Sequence, residues 1–170
     1  EIMHSLVGSE MCIRDRGTGG IFGDTQGSGI GADIQLLTAQ TSLADITLTT
    51  SSQGSGPGGE IQVYSADSVA INGATLDSQA RGEGVGGDID IQTRDMTLLG
   101  SGSLNVAGFG SGNAGHIEIT AEDVTISGDG ALILTASGSG KGGKLTLESG
   151  SLTMSCLLYT SDAADDSFRV

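Results

Sequence analysis

"FGSGNAGHIEIT", residues 109–120, passes from a glycine cluster straight into alternating apolar and polar residues. The same transition recurs along the chain. The clusters are "QGSGIGA" (26–32), "QGSGPGG" (53–59), "RGEGVGG" (81–87), "FGSGNAG" (109–115) and "SGSGKGG" (137–143), and their starts are 27, 28, 28 and 28 residues apart. Each is followed, one residue later, by an aliphatic: Ile34, Ile61, Ile89, Ile117 and Leu145. Self-similarity at such a period is the signature of a repeat architecture and takes precedence over any local motif.

Within each repeat, apolar residues come in short runs spaced two apart. Ile89 and Ile91 match Ile117 and Ile119; Met96 and Leu98 match Val124 and Ile126; Leu104 and Val106 match Leu132 and Leu134. The preceding copy supplies Ile61, Val63, Val69, Ile71 and Leu76, with one residue more near Ser68 and one fewer after Gly73. A spacing of two is the strand period, in which successive side chains face opposite ways. The glycine content opposes helix, whereas Val, Ile and Thr favour strand.

Three short strands per repeat, apolar at the same places each time, predict a coil that stacks on its neighbour. The expected fold is all-β: a right-handed parallel β-helix of about five coils with a 28-residue repeat, spanning 17–155. At the parallel interstrand spacing it is about 24 Å long. Ile61, Ile89, Ile117 and Leu145 should form one inward ladder, and Gln62, Asp90, Glu118 and Thr146 an outward one. The glycines are expected to turn corners, through positive φ and close backbone stacking.

The two ends lack this period. "EMCIRDR" (10–16) back-translates as GAG-ATG-TGT-ATA-AGA-GAC-AGR and "CLLYTS" (156–161) as TGT-CTC-TTA-TAC-ACA-TCT, one DNA stretch read on opposite strands. That DNA resembles the mosaic end of transposase-made sequencing libraries. Residues 1–16 and 156–170 are therefore expected to be translated adapter, irregular in the first segment, and are set aside from fold reasoning. Cys12 and Cys156 go with them, leaving no disulfide or thiolate site. The natural open reading frame is expected to continue beyond both cuts.

The whole chain has a formal charge of −14. Its repeat region has only Arg81, Arg94, Lys141 and Lys144 as basic residues, too few and too scattered to follow a phosphate backbone, which argues against nucleic acid. No 18-residue apolar run is present, so no helical membrane span is expected.

The unit "GNAGHIEITAEDVTISGDGALILTASGSG" (112–140) resembles the repeats of two-partner-secretion exoproteins, the filamentous-haemagglutinin-like adhesins, especially the cyanobacterial type. Shared are the G-x-A-G-x-I-x-I entry, a hydrophobic-x-G-A step and a Ser/Thr/Gly-rich exit. The resemblance covers essentially all of 17–155. It implies a non-catalytic stalk segment of a large secreted or surface-displayed adhesin of a Gram-negative bacterium. Its partners would be an outer-membrane transporter pore during export and an unidentified host or cell-surface ligand. An autotransporter passenger or a fragment of a β-helical polysaccharide-active enzyme is the alternative.

No catalytic, cofactor-binding or metal residue is expected, and no cofactor. His116, the one histidine of the repeats, occupies the corner position held elsewhere by Asp33, Glu60, Asp88 and Lys144, and reads as a solvated corner. "SGDGA" (127–131) and Asp88, Asp90 and Asp95 invite calcium but lack the glycine–aspartate nonapeptide of calcium-binding rolls. Asp67, Asp95 and Asp123, 28 apart, are expected to stack as an outward acidic column, with Arg94 on the face opposite Asp95. "GSGPGG" is followed by neither Gly-Lys-Ser/Thr nor a helix, so phosphate cradling is not expected. "ITLTT" (46–50) raises a flat threonine binding face, but in one repeat only.

Overall fold

The computed structural model describes residues 4–7, 19–26 and 28–155. Every element among them is a strand. The first six are β1 (His4–Val7), β2 (Gly20–Phe22), β3 (Ile34–Ala44), β4 (Thr47–Thr49), β5 (Ile61–Asn72) and β6 (Thr75–Ala80). The others are β7 (Ile89–Gln92), β8 (Asp95–Leu99), β9 (Ser103–Gly110), β10 (His116–Ser127), β11 (Ala131–Gly138) and β12 (Lys144–Ser155).

All pairings between these strands are parallel and join one coil to the next, at an offset of 27 or 28 residues for every coil of the repeat. The result is a β-solenoid of about five turns. One sheet runs β1-β3-β5-β7-β10-β12, with β8 continuing the rung of β7 and pairing with β5 and β10. The other runs β11-β9-β6-β4-β2. Of the segments set aside as adapter, 156–170 lies outside the described residues, as does 1–16 apart from the β1 backbone, which pairs with β3 in the register His4↔Ile34.

The interior is built from the ladders that the period demands. Ile34, Ile61, Ile89, Ile117 and Leu145 stack in register, as do Leu36, Val63, Ile91, Ile119 and Leu147. The second sheet supplies Leu48, Leu76, Leu104 and Leu132. All are buried except Leu145, which packs partly buried against the same core. Because each inward side chain stacks against the rungs above and below it, each coil depends on its neighbours for stability.

The three runs of each repeat are distributed over two sheets. The first two merge into a single long strand in β3, β5, β10 and β12, and separate only at Thr93–Arg94 between β7 and β8. The alternation survives the merger by changing phase at the bend. In β10 the buried positions run Ile117, Ile119, Ala121 and then Val124, Ile126, so an extra residue at Glu122–Asp123 turns the chain while keeping aliphatics inside. Hydroxyls fill the inner side of this bend in the earlier coils. Thr41 and Ser65, both buried, and Thr38 share mutual hydrogen bonds of 2.7–2.9 Å.

The third side of each turn carries the glycine clusters, and its ladder is hydrogen-bonded too. Gly31 N–H donates to Pro57 O at 3.0 Å, Gly58 to Val85 at 2.9 Å, Gly86 to Asn113 at 2.8 Å and Ala114 to Lys141 at 2.9 Å. Here the expectation about glycine needs correction. Among the glycines with positive φ only Gly110 belongs to a cluster; the left-handed corner is a different column, Asp45, Gly73, Gly100 and Gly128, where the first sheet turns into the second. The cluster glycines serve close stacking. A Cβ on Gly84 or Gly112 would lie within 3.0 Å of the carbonyl oxygen of the coil before, at Gly56 and Gly84 respectively.

Candidate functional site

One place where the coils stop being interchangeable lies on the outer face of the first sheet. β5 pairs with β7 at an offset of 28 through Tyr64↔Gln92, then with β8 at 27 from Ser68↔Asp95. It also shifts register against β3 between Thr38 and Gln40. β5 therefore holds one residue more than either neighbour around Ala66 and Asp67, matching the extra residue near Ser68 that the repeats show in sequence. Such a bulge re-aims the side chains beside it.

Next to the bulge, β7 and β8 part at Thr93–Arg94. Together these irregularities open a shallow depression of about 500 Å³. Its walls are Tyr64, Gln92 and Thr120, which stack in register, together with Ala66, Arg94 and Glu122, the Glu122 N–H donating to the Arg94 carbonyl at 2.8 Å. Tyr64 Oη donates to Asp90 Oδ2 at 2.5 Å, and Gln92 Nε2 donates to the same oxygen at 3.4 Å. Burial, and then that hydrogen bond and the charge of Asp90, push the Tyr64 phenol well above the usual tyrosine range. The phenol stays protonated and donating, and the ring is held in place.

Two expectations about charged residues are overturned here. Asp67 does not stack on Asp95; Ser68 takes that register, because the bulge displaces Asp67 by one residue. Asp95 and Asp123 do stack. Arg94 does not point away from Asp95 either: its Nε lies 3.1 Å from Asp95 Oδ2 and its Nη1 3.6 Å from Asp67 Oδ1. The opposite-face rule requires an extended strand, and the chain is not extended at Arg94. With roughly half of each side chain exposed, these ion pairs orient the guanidinium more than they stabilise the fold. The hydrogen bond from Arg94 to Asp95, followed by the charges of Asp95 and Asp67, raises the Arg94 pKa further.

The remaining singled-out residues lie apart from the depression. His116 sits at the corner, in register with Lys144. Its backbone N–H donates to Asp88 Oδ1 at 2.7 Å, and its ring Nδ1 is 3.3 Å from the same oxygen, both side chains more than half exposed. Asp33 receives the backbone N–H of Glu60 at 2.8 Å in the same manner. Asp88 and Asp90 are engaged in these bonds and in the bond to Tyr64, and among the described residues no three His, Cys, Asp or Glu side chains converge as a metal site.

"SGDGA" forms the turn between β10 and β11, with φ of 74° at Gly128. The threonine face is contradicted. Thr49 and Thr50 are buried, Thr50 bonding Gly59 O at 2.8 Å and Thr49 bonding Asp24 at 3.1 Å.

Asp77 was missed in the sequence. It lies between Thr49 and Asn105 on the second sheet and accepts from Gln79 Nε2 at 2.7 and 2.9 Å and from Asn105 Nδ2 at 2.7 Å. Burial raises its pKa, against the opposing effect of those hydrogen bonds and of Arg81. Only the isolated carboxylate amid Thr and Gln at a half-buried register position signals it. No family model, curated protein or solved structure matches this chain.

Proposed function

We propose that this chain is a segment of a passive, non-catalytic stalk that extends and displays other parts of a secreted or surface-displayed protein. The supporting observation is register: parallel pairing at 27 or 28 residues persists through every coil, so that length can be added without a new fold. A solenoid of interchangeable coils grows in one dimension, which suits a spacer. The adhesin reading and export through an outer-membrane pore rest on the resemblance of the 112–140 unit to two-partner-secretion exoproteins.

Recovery of the flanking genomic DNA tests this reading. An amino-terminal secretion domain upstream supports the two-partner route, and a carboxy-terminal membrane barrel supports an autotransporter. A contiguous catalytic domain with active-site residues on these coils overturns the passive role. So does turnover of an acidic polysaccharide by this chain that disappears in Asp95→Asn.

A further inference from the structure

Going beyond the stalk reading, we propose that Asn72–Gly73 is a self-modification site. Asn72 closes to a succinimide and reopens as aspartate or isoaspartate, with Asp45 of the preceding coil as the base. The chain holds a single Asn-Gly pair, and it lies where β5 ends and the first sheet turns into the second. In the left-handed column Asp45, Gly73, Gly100 and Gly128, only Gly73 follows a carboxamide; the others follow Ala44, Leu99 and Ser127.

Three observations converge there. Asn72 and Asp45 are both exposed, so water reaches them. The peptide between Asn72 and Gly73 is held by long bonds: Gly73 N–H donates to Leu99 O at 3.3 Å, and Asn72 O accepts from Asp45 N–H at 3.1 Å. Finally, Asp45 Oδ1 occupies the space that a Cβ on Gly73 would need.

Ring closure brings the Gly73 nitrogen against Asn72 Cγ, which an extended strand residue holds apart from it. The carboxamide already borders the right place. The point where a Cβ on Gly100 would sit is 2.8 Å from Asn72 Oδ1 and 3.8 Å from Gly73 N. A flip of the peptide plane completes the approach by turning ψ of Asn72 and φ of Gly73 in opposite senses. Gly73 accepts either sign of φ because it has no Cβ. The flip also turns the Gly73 N–H away from Leu99 and towards the preceding coil, where the Asp45 carboxylate lies. A base within hydrogen-bond reach of the proton it takes is what this chemistry requires.

The Gly73 nitrogen then bonds to Cγ as its proton passes to Asp45. The Cγ–Nδ2 bond breaks, and ammonia leaves with that proton. Water, the only co-reactant, opens the ring. Attack at Cγ restores the main chain with aspartate at this position. Attack at the Asn72 carbonyl carbon leaves the chain running through the side chain, as isoaspartate, and lengthens the corner by one carbon. The other asparagines are better tied. Asn105 donates to Asp77 at 2.7 Å and precedes the buried, branched Val106. Asn113 Oδ1 accepts from Lys141 N–H at 2.8 Å, and the Ala114 N–H is held by Lys141 O at 2.9 Å.

The test keeps the full 170-residue chain folded in mildly alkaline heavy-oxygen water and follows it by peptide mapping. Asn72 should convert ahead of Asn105 and Asn113, giving aspartate and isoaspartate peptides that both carry heavy oxygen. Asp45→Gly suits the φ of 54° at that position and should slow the conversion by about tenfold or more. In urea the parent and Asp45→Gly should convert alike, because base and amide are no longer held together. Circular dichroism confirms the fold of the variant. The proposal is overturned if Asn72 stays intact in the folded chain, or if it gives aspartate with no isoaspartate, which is direct hydrolysis. It is overturned equally if folded Asp45→Gly converts as fast as the parent, or if the difference between them persists in urea.

Discussion

Gly84 lies so close beneath Gly112 that a Cβ on Gly112 would collide with the Gly84 carbonyl oxygen, and Gly84 stands in the same relation to Gly56. The obstacle is backbone, which cannot swing aside as a side chain can. Gly29, in the equivalent place of an earlier coil, has among the described residues only Thr25 Oγ1 within reach, at an ordinary 3.5 Å. Gly84→Ala is therefore expected to destabilise by about 1–3 kcal/mol through overpacking. Gly29→Ala should be neutral or stabilising by up to about 1 kcal/mol, from lost unfolded-state entropy. Urea denaturation of the two variants separates the cases, and equal losses would show that close stacking is not what selects glycine.

Ile91 sits mid-ladder between Val63 and Ile119, fully buried. No other part of the coil can collapse into the space it fills, since rungs above and below are fixed by their own hydrogen bonds. Ile91→Ala should cost about 2–5 kcal/mol. Val85, on the glycine corner and 46% exposed, tolerates the same truncation within about 0.5 kcal/mol. Thermal melts of both variants read the contrast, and a Val85→Ala loss matching that of Ile91→Ala would place the corner inside the core.

The ladders were legible because they are periodic. Ile61, Ile89 and Ile117 recur at a spacing that only stacked rungs explain, and the extra residue near Ser68 showed as a misfit between copies. The consequence of that misfit was not legible. Placing Asp67 beside Asp95 assumes that a 28-residue spacing in sequence is a rung in space, and one inserted residue breaks the equivalence. The pairing of Arg94 with Asp95 was hidden for a related reason, since alternation assigns faces only while the chain stays extended. The glycines misled differently: composition cannot say whether glycine is needed for its φ or for its missing Cβ, and both kinds occur here in separate columns. The depression depends on the bulge and on the break at Thr93–Arg94 together, so it appears only when the coils are stacked.

Asp77 makes stability depend on pH in a specific direction. Burial raises its folded-state pKa above the unfolded value near 3.8, so the folded chain holds this proton more tightly than the unfolded chain. Stability from this group is complete below the unfolded pKa and is lost as pH rises through the folded one, then stays level. Asp77→Asn removes that loss, because the Asn carbonyl can still accept from Gln79 and Asn105. Urea midpoints measured across the acid range should show the variant gaining on the parent as pH rises from about 3 towards neutrality. A constant difference between the two chains would mean that burial does not shift the titration of this carboxylate.

Asp88 ties one coil to the next through a bond that no sheet ladder supplies. Its carboxylate receives the backbone N–H of His116, the first residue of β10, as Asp33 receives that of Glu60 before β5. Each carboxylate thus satisfies a donor at the entry to a rung, where the glycine corner gives way to strand. A charge-assisted bond of this kind at an exposed corner contributes about 0.5–1.5 kcal/mol. Asp88→Ala should lose that amount while leaving Ile117 and its ladder in place. Amide exchange reads it locally: the His116 N–H should exchange faster in the variant, while the N–H of Ile119, deep in the sheet, changes only with global stability. Unchanged protection at His116 would mean that the corner amide is held by another acceptor.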